Sequence, residues 1–321
     1  MVPPVFSRKQ HGRFLLGSGT KPRTHDDYIT AVKVFVEWCT RTHLPFEQIQ
    51  TAEQLDDLLT DYIHDIYELR AGGGRQKAVN TIYGLRMLLP RLKYQLLTSQ
   101  RAVDQWKRLV PPESYPPLTW ELTAVMAFQM ARHGCYRFAV AMLLSFDCLL
   151  RVSEMAALKR DDIIDVGDDR FGAVHRRTTV HIRSAKTGDY QSVDVNDPSV
   201  IALLRGVLQD TAVGGALFPG GVPKYRRMFN KIRDELGLSR RYGTHSLRHG
   251  GATNLYLRKV PIEDILVRGR WESHKSVRRY IKAAKGLLAS MQAPDNVNLA
   301  GRVMSRDIIS SLSYANAVAL T

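Results

Sequence analysis

The segment from Thr244 to Thr253 reads Thr-His-Ser-Leu-Arg-His-Gly-Gly-Ala-Thr and places a base and a cation three residues apart. If Thr244 caps a helix here, His245 and Arg248 lie one turn apart on the same helix face. The N-terminus of that helix also favours an anion. A lone His-x-x-basic spacing is a weak signal, since about one such match is expected by chance in this chain. The whole string is more informative than the pair.

The chemistry that such residues suit is attack on a phosphodiester. This group is negatively charged and resists nucleophiles, so catalysis without a metal needs several fixed cations, a nucleophile and a proton donor for the leaving oxygen. The chain offers further candidates in order: Arg151 and Glu154 in Cys-Leu-Leu-Arg-Val-Ser-Glu, Lys186 in Ser-Ala-Lys-Thr-Gly, and Trp271 followed nine residues later by Tyr280.

Together these segments resemble the tyrosine recombinase (phage integrase) family, over residues 148–285. Family members carry an Arg box with a Glu three residues on, a Lys in a β-hairpin turn, and a His-x-Leu-Arg-His-x-x-Ala-Thr box. A His or Trp then precedes the nucleophilic Tyr. Trp271 stands where many members have His, as in Cre-like members. The resemblance implies that the catalytic residues are Arg151, Lys186, His245, Arg248, Trp271 and Tyr280, with Glu154 supporting them.

The resemblance also implies a mechanism for a site-specific DNA recombinase that works in integration or excision. Arg151 and Arg248 would bind the non-bridging phosphate oxygens through bidentate guanidinium contacts. Tyr280 would attack phosphorus and form a 3′-phosphotyrosyl bond. His245 would assist removal of the tyrosine proton, and Lys186 would protonate the departing 5′-oxygen. Trp271 would hydrogen-bond the phosphate, and neither a cofactor nor a metal would be required.

Each candidate also has a purely structural interpretation. Arg151 could stabilise a helix C-terminus, Lys186 could be an ordinary turn residue, and Trp271 and Tyr280 could simply pack in a core. Other lysines and tyrosines compete for the roles of proton donor and nucleophile: Lys224, Lys231, Lys259, Tyr242, Tyr256 and Tyr314. The alternative functions are DNA relaxation by a type IB topoisomerase-like enzyme and a non-catalytic DNA-binding relic of a mobile element. A basic structural protein without a site is the third.

The net charge of +15 favours a nucleic-acid partner. Between Ile201 and Ser290 the chain has 18 Lys and Arg against 6 Asp and Glu, so most of the excess lies in the segment that carries the motif. The three cysteines lie in apolar surroundings, which predicts reduced thiols inside a cell. We expect double-stranded DNA as the partner, with no membrane and no small-molecule substrate. We expect the protein to lie inside the cell, in the cytoplasm and nucleoid or in the nucleus, depending on the host.

Periodicity predicts a mainly α protein with a small antiparallel β-sheet (α+β). Residues 1–22 form a basic arm, residues 23–112 a helical domain and residues 113–292 a second domain. The resemblance implies that the helical domain is a core-binding domain that contacts DNA and that the second is the catalytic domain. Strands are expected near residues 162–166, 178–184 and 191–195. Thr24 and the Thr51/Gln54 pair are candidate helix caps, and Ser273 is expected to cap the Tyr280 helix.

Residues 293–321 form a tail whose last helix has an apolar stripe. Because so short a stripe has little core to join at the end of the chain, we expect it to dock on a neighbouring protomer of a homo-tetramer assembled on two recombination sites. Docking on its own chain is the alternative.

Overall fold

The computed structural model describes residues 22–42, 46–111, 115–168, 170, 176–185, 188–281, 288 and 291–320. The chain divides into two compact units, Met1–Glu113 and Ser114–Thr321. The basic arm expected over residues 1–22 lies outside the described residues except for its last position.

The first unit is a helical bundle around one apolar core. Its described helices are α1 (Pro22–Thr42), α2 (Ala52–Leu69), α3 (Arg75–Leu88) and α4 (Leu97–Leu109), with short 3-10 segments at Phe46–Gln48 and Pro90–Tyr94. The helices bury the apolar faces that their periodicity predicts, including Phe35, Leu59, Ile63, Ile82 and Trp106.

Helix caps in this unit follow the sequence only in part. The Thr51/Gln54 capping box is present, with the Gln54 amide donating to Thr51 Oγ1 at 3.2 Å. Thr24 is not a cap, since α1 already includes Pro22. The start of α4 is held from a distance by the buried Asp56 of α2, whose carboxylate accepts hydrogen bonds from the backbone N–H groups of Thr98 and Ser99 at 2.8 and 3.0 Å.

The second unit packs helices around a small sheet. Its described elements are α5 (Trp120–Arg132), α6 (Tyr136–Asp147), α7 (Val152–Ala157), β1 (Ile163–Ile164), β2 (Thr179–Ala185), β3 (Gly188–Asp194), α8 (Pro198–Gln209), α9 (Gly221–Glu235), α10 (His245–Leu257), α11 (Ile262–Gly269), α12 (His274–Tyr280), α13 (Asp295–Met304) and α14 (Ile308–Leu320). Helices α5 and α6 are apolar on nearly every side and form the centre of the core.

The sheet is antiparallel in the order β1-β2-β3, which confirms the predicted fold class. Val180, Ile182 and Val193 are buried, so one face of the hairpin packs on the core. Ala185 pairs with Gly188 across the hairpin end, and Lys186 and Thr187 between them lie outside the described residues.

Two adjacent glycines let α10 pack directly against backbone. A Cβ built on Gly250 would lie 2.0 Å from the carbonyl oxygen of Leu118, and one built on Gly251 would lie 2.1 Å from that of Phe146. No side chain fits at these separations, so the Gly-Gly pair sets the distance between α10 and the end of α6. This packing brings Arg248 beside the loop that follows α6 and leads to Arg151.

The last helix, α14, packs within its own chain. Ile308, Leu312 and Ala315 are buried in the same core as α5, and Gly301 of α13 lies against the backbone of Glu121. Docking of this helix on a neighbouring protomer stays a prediction, but the expectation that its stripe would find little core to join was wrong. The reason is that α13 and α14 cover an apolar face of α5 that the sequence pattern alone leaves unassigned.

Candidate active site

Helix α10 begins at the predicted residue, but its cap differs from the prediction. Thr244 has helical backbone angles and its side chain caps nothing. Ser246 instead accepts a hydrogen bond from the Gly243 amide at 3.1 Å through its hydroxyl oxygen, and its carbonyl accepts from the Leu118 amide at 3.0 Å. The helix N-terminus is therefore fixed from its second residue, while His245 at its first is only partly buried.

Arg248 is fully buried and is held by backbone carbonyls. Its Nη1 donates to the carbonyl of Leu149, and its Nη2 donates to that of Gly269. Its Nε is buried and has no hydrogen-bond partner among the described residues. A guanidinium has five N–H donors. Two of these donors already bind the protein backbone, so three, Nε–H among them, are left for the bidentate phosphate contact that the sequence predicts.

Arg151 and Glu154 form one unit at the start of α7. Glu154 accepts the Arg151 backbone N–H at 2.8 Å and the Arg151 Nη1 at 2.5 Å. It also accepts Arg270 Nη2 at 2.8 Å. Burial raises the pKa of the Glu154 carboxyl, but the charge of Arg270 and the hydrogen bonds from Arg151 outweigh burial and leave the pKa below its usual range. Glu154 is thus an ionised, buried anchor for two arginines.

Trp271 and Tyr280 come together because they do not lie on one continuous helix: α12 begins only at His274, after Trp271. Ser273 caps α12 as predicted, with its hydroxyl accepting the Ser276 amide at 3.3 Å. The Tyr280 ring lies 4.7 Å from the Trp271 ring and 4.5 Å from the imidazole of His249, measured between centroids. The Trp271 indole is buried, and its Nε1 has no hydrogen-bond partner in the described part of the chain.

The Arg248 guanidinium lies within the same aromatic cluster. Its Cζ is 4.5 Å from the centroid of the Trp271 ring and 5.4 Å from that of the Tyr280 ring. Burial, together with the positive charges of Arg151 and Arg270, lowers the pKa of Arg248 to about 9. Three arginines therefore surround the single carboxylate of Glu154, which leaves an excess of positive charge that an anion would neutralise.

His245 lies over Tyr115, with ring centroids 5.7 Å apart. Burial lowers the pKa of its imidazole below the ordinary value, and the charges of Arg248, Arg226 and Arg151 lower it further. The imidazole is therefore neutral at neutral pH and is able to accept a proton. Because the charges of Arg248 and Arg151 act on the pKa of His245, His245 shares the electrostatic environment of these two arginines.

The structure brings together all but one of the candidates, namely Arg151, Glu154, His245, Arg248, Trp271 and Tyr280. Lys186 lies outside the described residues. Sequence reasoning missed Arg270 and the stacking of His249 on the Tyr280 ring. His249 follows Arg248 directly in the motif, which was an available signal, whereas nothing in the sequence marked Arg270 except its position next to Trp271.

The rival tyrosines lie in different surroundings. Tyr242 is buried in the core, and burial raises its pKa to about 12. Tyr256 and Tyr314 are exposed on α10 and α14. The described residues contain no cluster of His, Cys, Asp and Glu that would hold a metal ion. None of the helices in the described ranges is both long and apolar enough to cross a bilayer.

Comparison with known proteins agrees with this arrangement. The phage integrase family model matches residues 120–286. Among solved structures, a λ integrase (75–356) dimer bound to a COC′ core site matches with a TM-score of 0.58 at 17% identity, over 85% of this chain and 93% of that chain. The Tn1549 transposon integrase (82–397) in complex with circular intermediate DNA matches with a TM-score of 0.61 at 13% identity, over 88% and 97%. A search of curated protein sequences gave no match.

A mainly α fold with this constellation of arginines, histidine and tyrosine defines a tyrosine recombinase. The family match covers more than half of the chain, and the chain belongs to the phage integrase family. Its activity is therefore site-specific DNA recombination.

Proposed function

We propose that Tyr280 is the nucleophile and that Arg151, Arg248 and Trp271 bind the scissile phosphate. The observation that carries this assignment is the cluster of Arg248, Trp271 and Tyr280, with two buried N–H donors, Arg248 Nε and Trp271 Nε1, that lack an acceptor among the described residues. A buried donor without a partner is unfavourable by about 1–3 kcal/mol. A phosphate oxygen placed between them would satisfy both donors and neutralise the excess charge.

The reaction is a transesterification in both directions. The Tyr280 oxygen bonds to phosphorus, the bond from phosphorus to the 5′-oxygen breaks, and a 3′-phosphotyrosyl ester and a free 5′-hydroxyl result. His245 accepts the tyrosine proton, which suits its lowered pKa, and Lys186 supplies a proton to the 5′-oxygen. Religation reverses these steps with a 5′-hydroxyl from the partner strand. The ester retains the energy of the broken bond.

Trp271 replaces the histidine of many family members and is a donor only. An indole N–H donates a hydrogen bond but does not shuttle a proton. We therefore assign Trp271 to phosphate binding and to packing against the Tyr280 ring, and we leave proton transfer to His245 and Lys186. Glu154 holds Arg151 from behind, through the contacts to its backbone and side chain.

Double-stranded DNA is the proposed partner of both units. The excess of Lys and Arg supports binding to the phosphate backbone. The helical unit before residue 113 is proposed to act as a core-binding domain on DNA. A λ integrase tetramer bound to a Holliday junction also shares this fold, with a TM-score of 0.58 at 17% identity over 86% of this chain and 76% of that chain. We propose that this chain likewise assembles as a homo-tetramer on two sites, in the nucleoid or nucleus of its host.

The test is a nicked suicide substrate, from which the short 5′-hydroxyl fragment diffuses away and traps the covalent complex. Wild type should accumulate a 3′-linked protein–DNA adduct, and Tyr280→Phe should form none. Tyr256→Phe is the matched control, because Tyr256 is an exposed tyrosine of the same unit, and it should react like wild type. An adduct formed by Tyr280→Phe would refute the assignment.

A second assay separates recombination from simple relaxation of DNA. Two recombination sites on different molecules should exchange strands in the presence of the wild-type protein. Relaxation of a supercoiled plasmid without any exchange would favour the topoisomerase-like alternative. DNA binding without either product would favour the non-catalytic relic.

A further inference from the structure

Arg270 has an unusual conformation for its residue type. It follows the last residue of α11 with φ +54° and ψ +47°, in the left-handed region that favours glycine. Its amide donates to the Val267 carbonyl at 2.9 Å, and the Trp271 amide donates to that of Leu266 at 3.1 Å. The backbone at this position would accept glycine more readily than arginine, so the reason for an arginine must lie in its side chain.

That side chain is buried and binds two parts of the site at once. Its Nη2 donates to Glu154 Oε2 at 2.8 Å and to the Leu149 carbonyl at 3.2 Å, and its Nη1 donates to the Cys148 carbonyl at 3.4 Å. Only 4% of the side chain is exposed. Arg270 therefore connects the loop that leads into Arg151 with the end of α11, which Trp271 follows closely in the chain.

The same two backbone segments hold Arg248. Its guanidinium donates to the carbonyls of Leu149 and Gly269, and these residues belong to the two segments that Arg270 connects. Leu149 itself has φ +51°, so this loop is held in a conformation that a leucine rarely adopts. A shift between the two segments would displace Arg248, Arg151 and Trp271 together.

We propose that Arg270 is a positioning residue for DNA cleavage. It fixes the loop before Arg151 relative to the segment that contains Trp271, so that both segments are correctly placed around the scissile phosphate. The proposal rests on the function assigned above to Arg151, Arg248 and Trp271. Arg270 is not assigned a contact with DNA, since its Nη1 and Nη2 groups donate to Glu154 and to backbone carbonyls. Its role is exerted through the residues that it holds.

Arg270→Gly tests this role, because glycine suits the left-handed backbone while the side-chain contacts are lost. Cleavage of the suicide substrate at saturating protein should fall by about 100-fold, the effect of a small misplacement of reacting groups. Affinity for DNA, measured with Tyr280→Phe as the common background to prevent cleavage, should change by less than about threefold. Arg270→Lys keeps the cation beside Glu154 and should recover part of the rate.

Lys259→Gly is the matched control. Lys259 also follows a helix in the left-handed conformation, with φ +62°, and makes the same pattern of backbone hydrogen bonds to Tyr256 and, through Val260, to Leu255. It is exposed, so the change removes the same charge from the same unit without touching the site. Its cleavage rate should equal that of wild type.

The pairing with Glu154 gives a second, independent measurement. If Arg270 acts through Glu154, adding Arg270→Gly to a Glu154→Gln variant should slow cleavage by less than about threefold. The reason is that the effects of substitutions at contacting residues are not additive. A wild-type cleavage rate in Arg270→Gly would overturn the proposal. So would a loss of melting temperature and DNA affinity that matches the loss of rate, or a Lys259→Gly variant equally impaired. Absence of a covalent adduct with wild-type protein would instead refute the proposed function.

Discussion

Trp271→Phe separates the packing role of this residue from its hydrogen bond. Phenylalanine keeps an aromatic ring beside Arg248 and Tyr280. In the wild type, the Arg248 Cζ lies 4.5 Å and the Tyr280 ring centroid 4.7 Å from the centroid of the Trp271 ring. It removes Nε1, which is buried without a partner among the described residues. If that N–H donates to the phosphate only when DNA is bound, the substitution should impair cleavage far more than folding.

The expected magnitude follows from the charge of the acceptor. A hydrogen bond to a charged group contributes about 1.5–3 kcal/mol. Since about 1.4 kcal/mol is a factor of ten in rate, cleavage should slow by about 10- to 150-fold. In the absence of DNA, removing an unpaired buried donor offsets part of the packing lost with the smaller ring. The free energy of unfolding should then change by less than about 1.5 kcal/mol.

The assay is single-turnover cleavage of the suicide substrate, with urea unfolding of the same preparations. Trp271→His keeps an N–H donor in a smaller ring and should cleave faster than Trp271→Phe. A Trp271→Phe variant that cleaves at the wild-type rate would refute phosphate binding by the indole. Equal losses of activity in Trp271→Phe and Trp271→His, in proportion to their losses of stability, would also contradict phosphate binding by the indole.

Two further predictions concern packing and pH. Gly250→Ala should destabilise the second unit by about 3 kcal/mol or more in urea unfolding, because its Cβ would meet the Leu118 carbonyl at 2.0 Å. Gly206→Ala, a helical glycine with open space around it, should be neutral or stabilising, and equal effects would contradict the packing argument. The ratio kcat/KM for cleavage should fall with decreasing pH as His245 is protonated, with a midpoint below 6.5, since burial and then Arg248 and Arg226 lower the pKa. Arg226→Gln removes one of these charges and should move that midpoint to higher pH; an unmoved midpoint would exclude His245 as the base.

The residues that we propose as catalytic stand out in the sequence because the proposed chemistry requires particular residue types at particular separations. Arg151, His245, Arg248 and Tyr280 belong to short strings whose order is informative, and the structure brings them close together. The break at Ser273 could also be predicted, since nine residues on one continuous helix would place Trp271 and Tyr280 on different sides. The small sheet followed from alternating, β-branched segments.

Other features depended on contacts between distant parts of the chain. Arg270 binds Glu154 across 116 residues, and no local pattern reveals that pairing. The use of two Arg248 donors on backbone carbonyls was equally hidden, because it depends on the loop conformation at Leu149. The cis packing of α14 required knowledge of the apolar face of α5 that it covers.

Peptide mapping of the trapped adduct would locate the covalent bond that we propose Tyr280 forms with DNA. Wild-type protein would be trapped on a nicked substrate and digested with protease and nuclease, and the remaining nucleotide would be located by mass spectrometry. We expect a 3′-nucleotide on the peptide that contains Tyr280, with Tyr256 and Tyr314 unmodified. A nucleotide on another tyrosine, or linkage through a 5′-phosphate, would contradict it.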